Sequence, residues 1–129
     1  MGSENIISMD DEGYEVSSLL QSIDVPRIEA LSIACLFNVE ELSSQDIERA
    51  TGLRQPEVSV AMRSLNERGW IEERDDKRTK CRGRPAKYYS LKVDFADIIK
   101  VYEDKILKMN KEKLRVIQDL LKKAPDGKS

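Results

Sequence analysis

Residues 42–71 read LSSQDIERATGLRQPEVSVAMRSLNERGWI, and the reading of this stretch decides the fold. Ser43-Ser44-Gln45-Asp46 starts a helix: either serine can cap it, and Asp46 falls in the electropositive first turn. Ile47 and Ala50 face one side. Thr51-Gly52-Leu53 stops the helix, because glycine takes the left-handed conformation without a Cβ penalty. A second helix begins almost at once. Pro56 suits a first helical position, which makes Gln55 the cap residue, and a poor one. Val58, Met62 and Leu65 then share one face at i, i+4 and i+7, and Asn66-Glu67-Arg68-Gly69 ends the helix on another glycine. Two helices joined by a tight glycine turn form the helix-turn-helix pattern.

What flanks this stretch extends it. Trp70-Ile71-Glu72-Glu73-Arg74 predicts a strand entered directly from the second helix, residues 75–84 are polar and basic, and Lys87-Tyr88-Tyr89-Ser90-Leu91 predicts a returning strand with Tyr89 and Leu91 on the core face. A β-hairpin after a helix-turn-helix is a winged helix. Upstream, residues 1–14 are polar, acidic and without pattern, and predict a disordered acidic tail. Val16, Leu19, Leu20 and Ile23 predict a short amphipathic helix. Asp24 or Val25 then ends the linker, and Pro26 suits the first turn of a helix that is apolar nearly all round through Ile28, Leu31, Ile33, Ala34, Cys35, Leu36 and Phe37. That pattern predicts a central buried helix, with Cys35 filling core space.

Downstream, Asp94 to Lys123 contains neither Gly nor Pro. A helix of about thirty residues is about 45 Å long. Ile99, Tyr102, Ile106, Met109, Val116 and Leu120 recur along it at three- and four-residue steps, with Lys113 interrupting the register. One apolar stripe on such a helix needs a partner, and a symmetric homodimer is the common solution. The alternative is a helix that folds back on its own domain. The expected fold class is mainly α with a small β-hairpin wing: a winged helix-turn-helix at 15–92 and a dimerisation helix at 93–124.

Charge is distributed unevenly. The formal charge of the 129-residue chain is −2, but residues 1–53 carry −9, residues 54–92 carry +5 and residues 93–129 carry +2. The run KRTKCRGRPAK at 77–87 has six positive side chains and no negative one. Such asymmetry points to a polyanionic partner for the middle of the chain. Histidine is absent, which removes the commonest general base and the commonest metal ligand. With no nucleotide-binding loop and no metal constellation, neither an enzyme nor a cofactor is expected. Cys35 and Cys81 are too far apart for a disulfide framework or a zinc pattern. Cys81 lies between Lys80 and Arg82, where positive charge lowers a thiol pKa, so a redox-sensitive wing stays open. The longest uncharged apolar run, Ala30 to Val39, is ten residues, about half of a membrane span. Asp10, Asp11 and Glu12 do not fit a secretory signal. The expectation is a cytoplasmic protein with no membrane partner and no evident small-molecule ligand.

Residues 24–92 resemble the winged helix-turn-helix domains of archaeal and bacterial regulators of the MarR, ArsR and TrmB-like type. The resemblance is carried by Leu42-Ser43-Ser44-Gln45-Asp46-Ile47, Thr51-Gly52-Leu53, Val58 through Leu65, Arg68-Gly69-Trp70-Ile71 and Gly83 through Leu91. It implies double-stranded DNA as partner, with the second helix entering the major groove. Arg54, Gln55, Glu57, Ser59, Val60 and Arg63 then lie away from the core face. Arg54 and Arg63 suit guanine or phosphate, Gln55 suits adenine, and Val60 suits a thymine methyl. Glu57 has two roles open to it, accepting from cytosine or favouring the helix dipole. Ser44 and Gln45 are expected at the DNA backbone. Residues 54–68 are only +1, so phosphate neutralisation falls to the wing, through Lys77, Arg78, Lys80, Arg82, Gly83, Arg84 and Lys87. Arg82-Gly83-Arg84-Pro85 also resembles the core of an AT-hook, which reads narrow minor grooves; alternatively Gly83 and Pro85 only shape the loop. The expected function is a homodimeric, sequence-specific transcriptional regulator. Two other functions fit the same residues: a winged-helix protein-interaction module, and an architectural DNA protein of low sequence preference.

Overall fold

Eight elements follow one another in the computed structural model, which describes residues 9–76 and 86–125. They are α1 (Asp11–Ser22), α2 (Arg27–Leu36), β1 (Leu42–Ser43), α3 (Ser44–Thr51), α4 (Gln55–Glu67), β2 (Ile71–Asp76), β3 (Ala86–Leu91) and α5 (Phe95–Lys123). The chain divides after Phe95 into two compact units.

α1 begins earlier than the acidic-tail reading of residues 1–14 allowed. The Asp10 carboxylate accepts the Gly13 N–H at 2.8 Å, satisfying a first-turn donor, so residues 11–14 are helical. Residues 1–8 of that tail lie outside the described residues. Ser17 and Leu20 are buried. At the end of α1 the Val25 N–H returns to the Leu20 carbonyl at 3.1 Å, across Asp24 in the left-handed region at φ 75°. Pro26 is the cap of α2 rather than a residue of its first turn. Its backbone is extended, with ψ 147°, and its carbonyl accepts the Ala30 N–H at 2.8 Å.

α2 is the buried helix that its composition predicts: every residue from Glu29 to Leu36 is buried. Cys35 fills core space as expected. Its thiol donates to the Ser32 carbonyl at 3.3 Å, and burial pushes its pKa up to about 12. Ile47, Ala50 and Leu53 from the α3 region, Val58, Ala61, Met62 and Leu65 from α4, and Ile71 and Tyr89 from the sheet are also buried.

The expected hairpin is the larger part of a three-stranded antiparallel sheet with order β1-β3-β2. Ile71 pairs with Leu91 and Glu73 with Tyr89, while Leu42 of β1 pairs with Tyr89 from the other side. Tyr89 is buried and Leu91 partly so. β1 has only two residues, too few for an alternating pattern to register in the sequence. It anchors the root of the hairpin beside the start of α3. In the second unit, α5 runs unbroken to Lys123. Among the described residues no helix is long and apolar enough to cross a membrane.

Candidate nucleic-acid interface

α3 is short, and both of its ends are tied. Ser43, not Ser44, is its cap: Ser43 Oγ accepts the Asp46 N–H at 3.1 Å, and Asp46 Oδ2 accepts the Ser43 N–H at 3.3 Å. At the other end Gly52 has φ +78°, and its N–H reaches the Glu48 carbonyl at 2.8 Å. The Thr51 hydroxyl donates to the Ile47 carbonyl at 2.6 Å and accepts the Leu53 N–H at 3.1 Å, which holds the corner between the two helices. Ser44 is half-buried and Gln45 exposed at the first turn.

α4 starts one residue earlier than Pro56 suggests. Arg54 is the cap and Gln55 the first helical residue, because the Glu57 carboxylate reaches back to accept the Arg54 N–H at 3.0 Å. A favourable N3 carboxylate thus does the work that a good cap side chain would have done. Gln55 is left to another role, and its Nε2 donates to Ser59 Oγ at 3.0 Å. With Val58, Ala61, Met62 and Leu65 turned inward, Arg54, Gln55, Val60 and Arg63 are exposed and Glu57 and Ser59 half-buried. The sequence reading therefore placed the outward side of this helix correctly.

Two carboxylates that the sequence reading did not single out hold the frame around α4. Glu29, on buried α2, accepts the Ser64 hydroxyl at 2.8 Å through Oε2, and its Oε1 lies 3.4 Å from Arg68 Nη1. The Arg68 guanidinium lies 4.9 Å from the centre of the Trp70 ring. The Glu41 carboxylate, just before β1, accepts from Nε and Nη2 of Arg74 at 2.8–3.3 Å, and Arg74 stacks on Tyr88 at 4.9 Å. One arginine thus crosses from β2 over β3 to the chain entering β1. Neither pair leaves a signal in the sequence, because the partners are more than thirty residues apart.

These pairs sort the positive charges. Arg68, Arg74 and Lys87 each have an acidic partner; for Lys87 it is Glu73, 3.1 Å away. That hydrogen bond raises the Lys87 pKa further. Arg54 and Arg63, on the outward side of α4, form no ion pair among the described residues. Lys77, Arg78, Lys80, Cys81, Arg82, Gly83 and Arg84 lie outside the described residues.

On α5, Tyr102 is buried with the Lys105 ammonium 5.1 Å from its ring centre, Ile99 and Ile106 are half-buried, and Met109, Val116 and Leu120 are exposed. The helix also exposes Leu107, Leu114, Ile117 and Leu121, at 50–69%. These four recur at steps of seven, three and four, a signal obscured by Asn110 in the same row. Among the described residues no group of three or more acidic or cysteine side chains could hold a metal ion.

Comparison with known proteins agrees with this geometry. Residues 24–80 match the model of the MarR family. Among solved structures, TrmBL2, an archaeal chromatin protein, superposes with a TM-score of 0.60 at 17% identity, over 86% of this chain and 39% of that one. A structure described as a transcriptional regulator superposes with a TM-score of 0.56 at 17% identity, over 89% and 76% of the two chains. This chain therefore spans about two-fifths of the length of TrmBL2. No curated protein matches it significantly. The helix-turn-helix of α3 and α4 and the three-stranded antiparallel sheet together have the arrangement of a winged helix, and the segment similar to the MarR family, residues 24–80, covers α2 to β2 of it.

Proposed function

We propose that this chain is a sequence-specific, double-stranded DNA-binding transcriptional regulator that acts as a homodimer. In this reading α4 enters the major groove and the basic segment 77–87 lies on the backbone and in the minor groove. The supporting observation is the sorting of charge. Around α4 the structural arginines carry their own carboxylates, whereas Arg54 and Arg63 on the outward side have none among the described residues. An unpaired guanidinium retains its donors for guanine or phosphate. Gln55 supplies a donor and an acceptor for adenine, and Val60, 53% exposed, supplies an apolar contact for a thymine methyl. Dimerisation uses the apolar face of α5, on which eight large apolar side chains from Val101 to Leu121 are exposed.

The test is selection of bound duplexes from a random DNA pool. The expected product is an inverted repeat, with half-sites about one helical turn, or a multiple of it, apart. Gln55→Ala should relax the preference at one base pair per half-site. Binding without any preferred sequence would replace the regulator by an architectural role; TrmBL2, a chromatin protein, has the same fold. Failure to bind duplex DNA at low salt would leave the protein-interaction reading.

A further inference from the structure

On the outward side of α4, two residues one turn apart are joined before any partner arrives. Gln55 and Ser59 are i and i+4 on the helix, and the Gln55 amide nitrogen donates to the Ser59 hydroxyl at 3.0 Å. A glutamine amide has one acceptor oxygen and two N–H donors. With one N–H spent on Ser59, the amide offers one remaining N–H beside Oε1, a donor next to an acceptor. In the major groove adenine presents an acceptor at N7 and a donor at N6, whereas guanine presents acceptors at both N7 and O6. The arrangement on α4 complements the first and leaves an acceptor facing an acceptor with the second. Had the serine donated to Oε1 instead, both N–H groups would face outward and the preference would favour guanine. The rest of the first turn does not compete, since the Glu57 carboxylate is engaged with the Arg54 N–H.

We infer that Ser59 is a positioning residue for Gln55, holding its amide in the orientation that reads adenine and rejects guanine. The inference rests on the reading of α4 as the base-contacting helix. Its physical basis is preorganisation. A long side chain loses rotamer freedom when it engages a base, and a bond formed beforehand removes that cost from the binding step. The benefit is about two- to tenfold in affinity.

The experiment measures dissociation constants of the full chain on two duplexes. Both derive from the selected sequence and differ only in A or G at the base pair that responds to Gln55→Ala. The native protein should prefer A by roughly 5- to 150-fold. Ser59→Ala, at a partly exposed position where alanine raises helix propensity, should weaken the A duplex about two- to tenfold and leave the G duplex unchanged. Ser59→Thr, which keeps the hydroxyl, should restore the native ratio. In a Gln55→Ala background Ser59→Ala should add nothing. An A-to-G ratio unmoved by Ser59→Ala overturns the inference, as does an equal loss in the Gln55→Ala background. Those failures leave base reading by Gln55 intact. If Gln55→Ala itself shifts no base preference, or the native protein selects no sequence, the parent reading fails and this inference falls with it.

Discussion

Glu29 is the residue whose removal tests the frame around α4 most directly. Its side chain is 10% exposed, on the buried helix α2, and it takes the Ser64 hydroxyl at 2.8 Å and Arg68 at 3.4 Å. A hydrogen bond to a charged group contributes about 1.5–3 kcal/mol. The ion pair adds at most about 1 kcal/mol, because Arg68 is 33% exposed and therefore screened. Removing the carboxylate also removes its own desolvation cost, so Glu29→Ala should destabilise the protein by about 2–3 kcal/mol. Glu29→Gln keeps an acceptor for Ser64 and gives up only the charge, so it should cost about 1 kcal/mol. Urea denaturation reads both as lower midpoints at unchanged slope. A cycle with Ser64→Ala should give a coupling of about 1–2 kcal/mol. Additivity of Glu29→Ala and Ser64→Ala within about 0.5 kcal/mol would refute the contact as a source of stability.

Four further outcomes are expected. Leu114→Asp with Ile117→Asp, both at least half exposed in the protomer, should convert the proposed dimer to a monomer in light scattering, because charge in an apolar seam costs several kcal/mol; a native monomer at tens of micromolar would sink the dimer proposal. Arg82→Ala with Arg84→Ala should flatten the slope of log affinity against log salt by up to about 3.6 units in a dimer, and an unchanged slope would remove the wing from the interface. The Cys35 thiol is raised from 9.0 to about 12, so the native chain keeps a proton that the unfolded chain releases above pH 9. Its contribution is complete below pH 9 and should decline by about 1.4 kcal/mol per pH unit between pH 9 and pH 12; Cys35→Ala should lack that component, and equal slopes would contradict it. Gly52→Ala should cost about 1–2 kcal/mol from the left-handed backbone alone, since nothing lies within 4 Å of the added Cβ; an unchanged urea midpoint would contradict the positive φ.

The parts of the fold that were legible in the sequence are those governed by local chemistry. Ser43, Gly52 and Gly69 act within a turn of their own positions. Val58, Met62 and Leu65 declare their face by spacing alone, which is also why the exposure of Arg54, Gln55 and Arg63 could be read. Legibility fails where a decision is made at a distance. The start of α4 depends on the Glu57 carboxylate reaching back to Arg54, and that reach displaced Gln55 from the cap. β1 exists because β3 has a free edge, not because Leu42-Ser43 has a strand pattern. Charge was the least readable feature. A sequence counts Arg68, Arg74 and Lys87 as basic surface, but only the tertiary fold brings Glu29, Glu41 and Glu73 to them. The row Leu107, Leu114, Ile117 and Leu121 was hidden for a simpler reason: Asn110 interrupts its apolar spacing.

The brevity of α3 governs how this domain opens. An eight-residue helix does not nucleate alone in water. Capped as it is by Ser43, Asp46 and Gly52, it still owes its existence to Ile47 and Ala50 in the core. An undocked but helical α3 is therefore not a populated state, and the corner between α3 and α4 comes apart as one cooperative piece. In hydrogen exchange the amides of Ala50, Thr51 and Leu53 should share one opening free energy with the buried face of α4, without the gradient that a fraying helix produces.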